Sequence, residues 1–164
     1  LIQSTIVIDD IYIATTGLGV LKTRIGNIEE PLEIRPEGPL SNRGFKIQAG
    51  DNELWMTYGE YSVTYNPSPL NLRGISHLVD GVWQNTPADS ILGAFDLCDI
   101  AINPFNPSQV FIGSFHSGML ELNDGTPTIL YDESNSGLES VDIPTNQSTR
   151  VSGLKLDRNG LLWL

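Results

Sequence analysis

Basic residues are scarce in this sequence, and long apolar runs are missing. There are 9 lysines and arginines against 20 aspartates and glutamates, which gives a net charge of −11 over 164 residues. An acidic field of this size repels phosphate backbones, so we expect no nucleic-acid binding. The charge fits a solvated acidic surface, and the alternative is attraction of cations or of basic patches on a partner. No apolar run approaches the roughly 18 residues that a membrane-spanning helix needs.

Cysteine and catalytic motifs are also nearly absent. Cys98 is the one cysteine of the chain, so no intramolecular disulfide can form. It lies in an apolar stretch, which predicts an inert core thiol. There is no G-x-S-x-G, H-E-x-x-H or Walker pattern, and the glycine pair in residues 17–19 lacks the third glycine of a dinucleotide fingerprint. Neither His77 nor His116 lies near another obvious metal ligand in sequence. We therefore expect no catalytic residues, no cofactor and no metal site.

The periodicity of the apolar residues predicts an all-β chain, because no segment of useful length carries them at helical spacing. The clearest stretch is residues 99–132, which reads as four short strands separated by turn residues. It contains Asp124-Gly125, a dipeptide well suited to the type I′ turn of a β-hairpin. Four strands in about 35 residues is the size of one β-propeller blade.

An aromatic residue recurs in the predicted second strand of each unit. The four are Tyr12, Trp55, Phe111 and Trp163, at spacings of 43, 56 and 52 residues. An insertion at residues 59–73 and a polar linker at residues 137–150 explain the two longer spacings, and insertions confined to connections are typical of propellers. We expect each aromatic ring to fill the space between packed sheets. The alternative role, a platform for stacking carbohydrate, would require exposed rings.

These observations predict that residues 1–164 are part of one β-propeller domain made of four-stranded blades. The predicted units are about three blades and the start of a fourth, at residues 5–35, 45–86, 98–132 and 151–164. The chain begins without methionine and stops directly after a Trp-Leu pair, so we expect it to be a piece of a longer protein.

Any functional surface should lie in loops that depart from the repeat, since a rigid propeller carries its contacts on its connections. The insertion holds Tyr61, Tyr65 and Arg73, a composition suited to contacts with protein or sugar. The alternative is that its tyrosines only add an edge strand. His116 lies in a predicted turn and is the better histidine for a surface contact, whereas His77 lies mid-strand, where a structural role is expected. The candidate binding residues are therefore Tyr61, Tyr65, Arg73 and His116.

Several segments resemble PorZ-like propeller subunits of the type IX secretion system of Bacteroidetes. The short Leu-Trp pattern at the end of the chain also resembles the propeller repeats of two-component regulators. The segments that carry the resemblance are ELWMTYGEYSVTYNP, GISHLVDGVWQN, INPFNPSQVFIGSFHSGMLELNDG, YDESNSGLES and SGLKLDRNGLLWL.

The resemblance implies an exported protein of the cell surface or periplasm, built on seven-bladed propellers. It implies a non-catalytic scaffold in the complex that attaches secreted cargo, with other secretion subunits and lipopolysaccharide as partners. Two alternatives stay open. One is the periplasmic oligosaccharide-sensing propeller of a hybrid two-component regulator, and the other is a propeller lyase or hydrolase.

Overall fold

The computed structural model describes residues 3–16, 19–27, 29–35, 37–64, 71–143 and 146–164. Side chains at 142, 143, 146 and 147 are outside this description. The chain divides into two compact units, Leu1–Gly38 and Pro39–Leu164.

The first unit contains one four-stranded antiparallel sheet, sheet 1, whose strands neighbour one another in chain order. Its strands are β1 (Gln3–Val7), β2 (Asp10–Ala14), β3 (Val20–Arg24) and β4 (Leu32–Ile34). Lys22 and Asp10 extend from neighbouring strands and form an ion pair of 2.8 Å.

The second unit contains two more sheets of the same design, a hairpin and a final pair of strands. Sheet 2 is formed by β5 (Lys46–Gly50), β6 (Glu53–Thr57), β7 (Ile75–Val79) and β8 (Val82–Thr86). Sheet 3 is formed by β9 (Leu97–Ile102), β10 (Gln109–Ser114), β11 (Gly118–Asn123) and β12 (Thr126–Tyr131). The hairpin is β13 (Ser140–Ile143) with β14 (Asn146–Thr149), and sheet 4 is β15 (Lys155–Leu156) with β16 (Leu162–Trp163).

The prediction of an all-β chain is confirmed. Within the described residues, the helical structure is one 3-10 turn at Ala88–Ser90. Three consecutive four-stranded antiparallel meanders have the design of propeller blades. The predicted polar linker at residues 137–150 contains the hairpin β13–β14, which the sequence analysis does not predict. The strands are four residues each, and β14 (NQST) carries no apolar residue.

The aligned aromatic residues all lie in the second strand of their sheet. They pair with the first strand as Tyr12↔Thr5, Trp55↔Gln48, Phe111↔Ala101 and Trp163↔Lys155. Trp55 is 2% exposed, as expected for a ring packed between sheets. The same expectation is wrong for Trp163, which is 61% exposed and donates its indole N–H to Asp157 of its own hairpin at 3.2 Å.

Two apolar clusters lie in the second unit, one on each face of sheet 3. The first cluster joins sheets 2 and 3 through residues such as Trp55, Ile75 and Ile112. The second cluster joins sheet 3 to the chain before sheet 4 through Met119 and Val151. Sheet 3 is therefore the packed centre of this unit, and both of its faces are covered.

Because neighbouring strands pair in chain order, the connections between them fall into two groups, one at each end of the strands. In a four-stranded antiparallel meander, the loops after the second and fourth strands lie at one end of the strands, and the tight turns lie at the opposite end. In sheets 2 and 3, we call the end that carries the loops after the second and fourth strands the loop face. It comprises residues 39–45, 58–64, 71–74, 87–96, 115–117 and 132–139. The hairpin joins this face, because the Thr149 amide donates to the His116 carbonyl at 3.1 Å.

Candidate functional site

Aromatic side chains from three different loops meet on the loop face. Phe115 directly follows strand β10 and is 3% exposed, and the centre of the Tyr61 ring lies 5.0 Å from the centre of its ring. Phe45, at the entrance to β5, contacts Tyr61 edge-on at 5.1 Å and is 38% exposed. The Arg150 guanidinium lies 4.9 Å from the centre of the Phe115 ring, within cation–π range. We call Phe45, Tyr61, Phe115 and Arg150 the aromatic patch.

His116 continues the patch inward through its contacts with three other segments. Its ring stacks on Phe95 with centroids 5.4 Å apart, and its Nδ1 lies 2.9 Å from the Ser148 hydroxyl. Its Nε2 lies 3.6 Å from Oδ2 of Asp96. The other oxygen of Asp96 accepts a hydrogen bond of 2.6 Å from the Asn71 amide. The Asn71 amide thus ties the end of the insertion to this buried carboxylate, and Ser148 ties the hairpin to His116 in the turn after β10. Oδ2 of Asp96 and Nε2 of His116 face each other without a hydrogen bond.

Burial controls the ionisation of this pair. Removal from water raises the pKa of Asp96, an effect that the Asn71 amide and the His116 ring oppose. Removal from water also lowers the pKa of His116, with Arg150 acting in the same direction and Asp96 against it. The imidazole is consequently held in its neutral form near pH 7, which suits a hydrogen-bonded structural role.

Asp96, His116 and Ser148 have the composition of a catalytic triad but not its accessibility. Ser148 is 1% exposed, so its hydroxyl cannot reach a substrate in this arrangement. A nucleophilic serine must instead reach the scissile carbonyl beside hydrogen-bond donors that stabilise the oxyanion. The geometry of these three residues is that of a buried polar network beneath the patch.

The structure brings together two of the four predicted binding residues. Tyr61 and His116 both contact Phe115, and the ring centroids of Phe115 and His116 lie 6.0 Å apart. Arg73 lies apart from them: it donates to the Ser41 hydroxyl at 3.1 Å and lines a hollow of about 380 Å³. Tyr65 lies outside the described residues. In the described part of the insertion, residues 59–64 and 71–73, no strand forms, so the proposed edge strand is not found there.

Sequence reasoning missed most of the partners of His116 and Tyr61. Phe115 precedes His116 directly, and this adjacency of an aromatic residue and a histidine in a turn was a usable signal. Asp96 and Ser148 gave no comparable signal, because they are distant from His116 in sequence and typical of loops in type. Only the packing of the hairpin against the turn brings them together.

The second histidine and the cysteine have structural surroundings. His77 stacks on Trp55 at 3.8 Å, and Glu53 accepts hydrogen bonds from both rings, at 2.8 Å from His77 and 2.9 Å from Trp55. Burial raises the pKa of the Cys98 thiol to about 12, which keeps it protonated and unreactive at neutral pH. The expectation of an inert core thiol is in line with this burial.

In the ranges given above, no group of three or more His, Cys, Asp or Glu side chains is arranged to hold a metal ion. The helical content of the same residues includes no segment long and apolar enough to cross a membrane.

A comparison with solved structures supplies a similar fold. The chain superposes with a TM-score of 0.73 and 20% sequence identity on PorZ of Porphyromonas gingivalis, described as an essential bacterial surface component of the type IX secretion system. At this identity the likeness shows the fold alone. The match covers 94% of this chain, which spans about a fifth (21%) of PorZ. No protein-family model matches the sequence, and a search of curated proteins gives no significant match.

Proposed function

We propose that this chain is part of a PorZ-like β-propeller scaffold that serves a type IX secretion system at the bacterial cell surface. The observation that carries the proposal is the structural likeness to PorZ, with a TM-score of 0.73 over 94% of the chain. The likeness extends over both units rather than over one isolated meander. In this proposal the three sheets and sheet 4 are successive blades of a seven-bladed ring.

The scaffold is proposed to act by binding and not by catalysis. Ser148 of its Asp96–His116–Ser148 network is buried, and its one thiol, Cys98, is held protonated, so neither of these two side chains is available as a nucleophile. The aromatic patch is the proposed contact for a protein subunit of the secretion system, because aromatic and arginine side chains dominate the energy of protein interfaces. Lipopolysaccharide is the second proposed ligand, and its acidic groups would meet Arg150 and Arg73.

Deletion of the gene in its source organism, followed by complementation, tests the secretion role. The expected result is loss of secreted cargo from the surface and medium, restored by the wild-type gene. A strain that secretes normally but no longer responds to an oligosaccharide would contradict the proposal and support the sensor alternative.

Site-specific photo-crosslinking in the intact protein tests the patch as the contact. A photoreactive amino acid at Phe45, which is 38% exposed, is expected to capture a secretion subunit. The matched control is Ile129, which is 41% exposed on the outer strand β12 of sheet 3. Equal capture from both positions, or capture from Ile129 alone, would contradict an interface at the patch.

A fluorophosphonate probe tests the absence of serine-hydrolase activity. The expected result is no labelling of the native protein, since Ser148 is 1% exposed. Labelling that disappears in Ser148→Ala would overturn the non-catalytic proposal and favour the hydrolase alternative.

A further inference from the structure

The first strands of sheets 2, 3 and 4 line an open hollow of about 360 Å³, which we call the lysine hollow. Three polar side chains that can donate hydrogen bonds line it: Lys46 and Gln48 from β5, and Lys155 from β15. The Gln48 Nε2 uses one of its two hydrogens on the Ala49 carbonyl, at 3.1 Å. The unit Pro39–Leu164 contains two lysines, Lys46 and Lys155, and both line the hollow. A chain of net charge −11 thus places two of its few cations around one concave surface.

Strand register explains why these side chains share the hollow. Gln48, Ala101 and Lys155 are each paired with the aligned aromatic residue of their own sheet, so they occupy equivalent positions in three successive first strands. The central position holds Ala101, which is 7% exposed and belongs to the second apolar cluster. The repeat therefore places a small buried residue between the two longer polar side chains of the hollow.

Lys46 is held in place by an ion pair with Asp99. Its Nζ forms an ion pair of 2.5 Å with Oδ1 of Asp99, whose side chain is 10% exposed, while Oδ2 of Asp99 accepts the Leu154 amide at 2.7 Å. An ammonium group has three donors, and Asp99 engages one of them. The Lys46 side chain is 41% exposed, so its remaining donors can reach a ligand in the hollow.

Lys155 supplies a second positive charge. Among the residues that the structure describes, no carboxylate is ion-paired with it, and it is exposed on the rim. Asp99 is the one carboxylate in the lining. Two lysines against one aspartate give the hollow a local charge opposite to that of the whole chain.

We propose that the lysine hollow binds a small oxyanion, a carboxylate or phosphate group. Lys155 and the free donors of Lys46 bind its oxygens, and the Gln48 amide supplies a neutral donor. Ammonium groups bind such oxygens as point charges, and charge-assisted hydrogen bonds are the stronger class. The site is independent of the aromatic patch and of the proposed secretion role.

Thermal unfolding of the intact protein in acetate, in inorganic phosphate and in chloride at matched ionic strength tests this site. A ligand that binds only the folded state raises the Tm in proportion to the logarithm of its concentration above Kd. Phosphate also stabilises proteins without binding them, so the comparison between variants decides the result. The two probes distinguish a carboxylate ligand from a phosphate ligand.

Lys155→Met is expected to weaken the preferred anion at least tenfold, and Gln48→Leu severalfold. Arg158→Met is the matched control, because Arg158 is exposed in the turn after β15 and its loss changes the net charge equally. It is expected to leave the response unchanged. The proposal is overturned if neither anion raises the Tm above its value in chloride, or if Arg158→Met and Lys155→Met respond alike.

Discussion

Trp55 is the residue whose substitution should disturb the second unit most. It is 2% exposed, stacks on His77 at 3.8 Å and donates to Glu53 at 2.9 Å. Trp55→Ala should therefore lower the free energy of unfolding by roughly 3–5 kcal/mol, since it removes a buried aromatic side chain and leaves a cavity. Urea denaturation followed by circular dichroism measures the change.

Trp163→Ala is the matched control for this substitution. Trp163 occupies the equivalent strand position but is 61% exposed, so we expect a loss under about 1 kcal/mol. A loss under about 1 kcal/mol for Trp55→Ala as well would mean that Trp55 does not pack as described.

The partly buried His116 should make stability depend on pH. Its pKa is lowered in the folded state because it is buried, whereas in the unfolded chain it returns to the usual value of about 6.5. The unfolded state therefore binds more protons below about pH 6.5, and stability falls as the pH decreases through this value. Asp96, Glu60 and Arg150 are the charged groups that act on this pair of residues.

Urea denaturation between pH 7.5 and about 5 should show a smaller loss of stability in His116→Gln than in the wild-type protein, because glutamine does not titrate. His77→Gln is the comparison at the other histidine. An equal loss in His116→Gln and wild type would contradict the assignment of this pH dependence to His116.

At the scale of the element, alanine substitutions at two glycines with positive φ allow the cost of backbone strain to be measured apart from the cost of a steric clash. Gly125 has φ of 75° in the turn after β11, and a Cβ atom there would meet nothing within 4 Å. Gly118 has φ of 83°, and a Cβ atom there would lie 1.9 Å from the carbonyl oxygen of Tyr131.

Gly125→Ala should cost about 1–2 kcal/mol, the strain of a left-handed conformation. Gly118→Ala should cost about 1–3 kcal/mol more, because β12 must also move away from β11. Chemical denaturation of the two variants checks the order, and equal losses would contradict the close approach of Gly118 to Tyr131.

The insertion at residues 59–73 is only partly separable from sheets 2 and 3. The Gly59 amide donates to the Leu97 carbonyl at 2.8 Å, and Asn71 and Asp96 exchange two hydrogen bonds. Deleting the whole insertion should therefore destabilise the protein, although the sequence repeat alone predicts that the blade stays folded without it.

A shorter deletion of residues 63–70, bridged by a Gly/Ser linker, should keep the β-sheet signal in circular dichroism because it preserves these contacts. Val63, the first residue removed, is 99% exposed. Loss of that signal in the shorter variant would show that the middle of the insertion is part of the folded structure.

At the scale of the molecule, Asp99 couples three successive sheets. It lies on β9 of sheet 3, pairs with Lys46 of sheet 2 and accepts the Leu154 amide that leads into sheet 4. Asp99→Asn should lower the free energy of unfolding by about 1–3 kcal/mol, since it removes the charge of a largely buried carboxylate that accepts the Leu154 amide and pairs with Lys46.

Asp51→Asn is a suitable control, because Asp51 is exposed in the turn after β5 and should change stability by less than about 0.5 kcal/mol. Urea denaturation of the two variants measures the difference. Equal effects would mean that Asp99 does not join the sheets energetically.

The sequence by itself determined the strand pattern of this protein. Alternating apolar residues, turn dipeptides such as Asp124-Gly125 and recurrent aromatic residues predict local structure, because each depends on the chain's own backbone preferences and on the face that a strand buries. The second-strand positions of Trp55 and Phe111 were predictable for this reason. The hairpin at residues 140–149 was not, since its strands are only four residues each and β14 carries no apolar residue.

Only the tertiary structure decided which loop residues meet. Tyr61 and His116 were recognisable as candidates, but Phe115 joins them only because the insertion folds back over the end of β10. Asp96 is buried and lies 3.6 Å from His116. The sequence around Asp96 does not distinguish it from other aspartates in loops. Contacts between segments distant in the chain depend on how whole sheets pack, and this packing leaves no short-range pattern in the sequence.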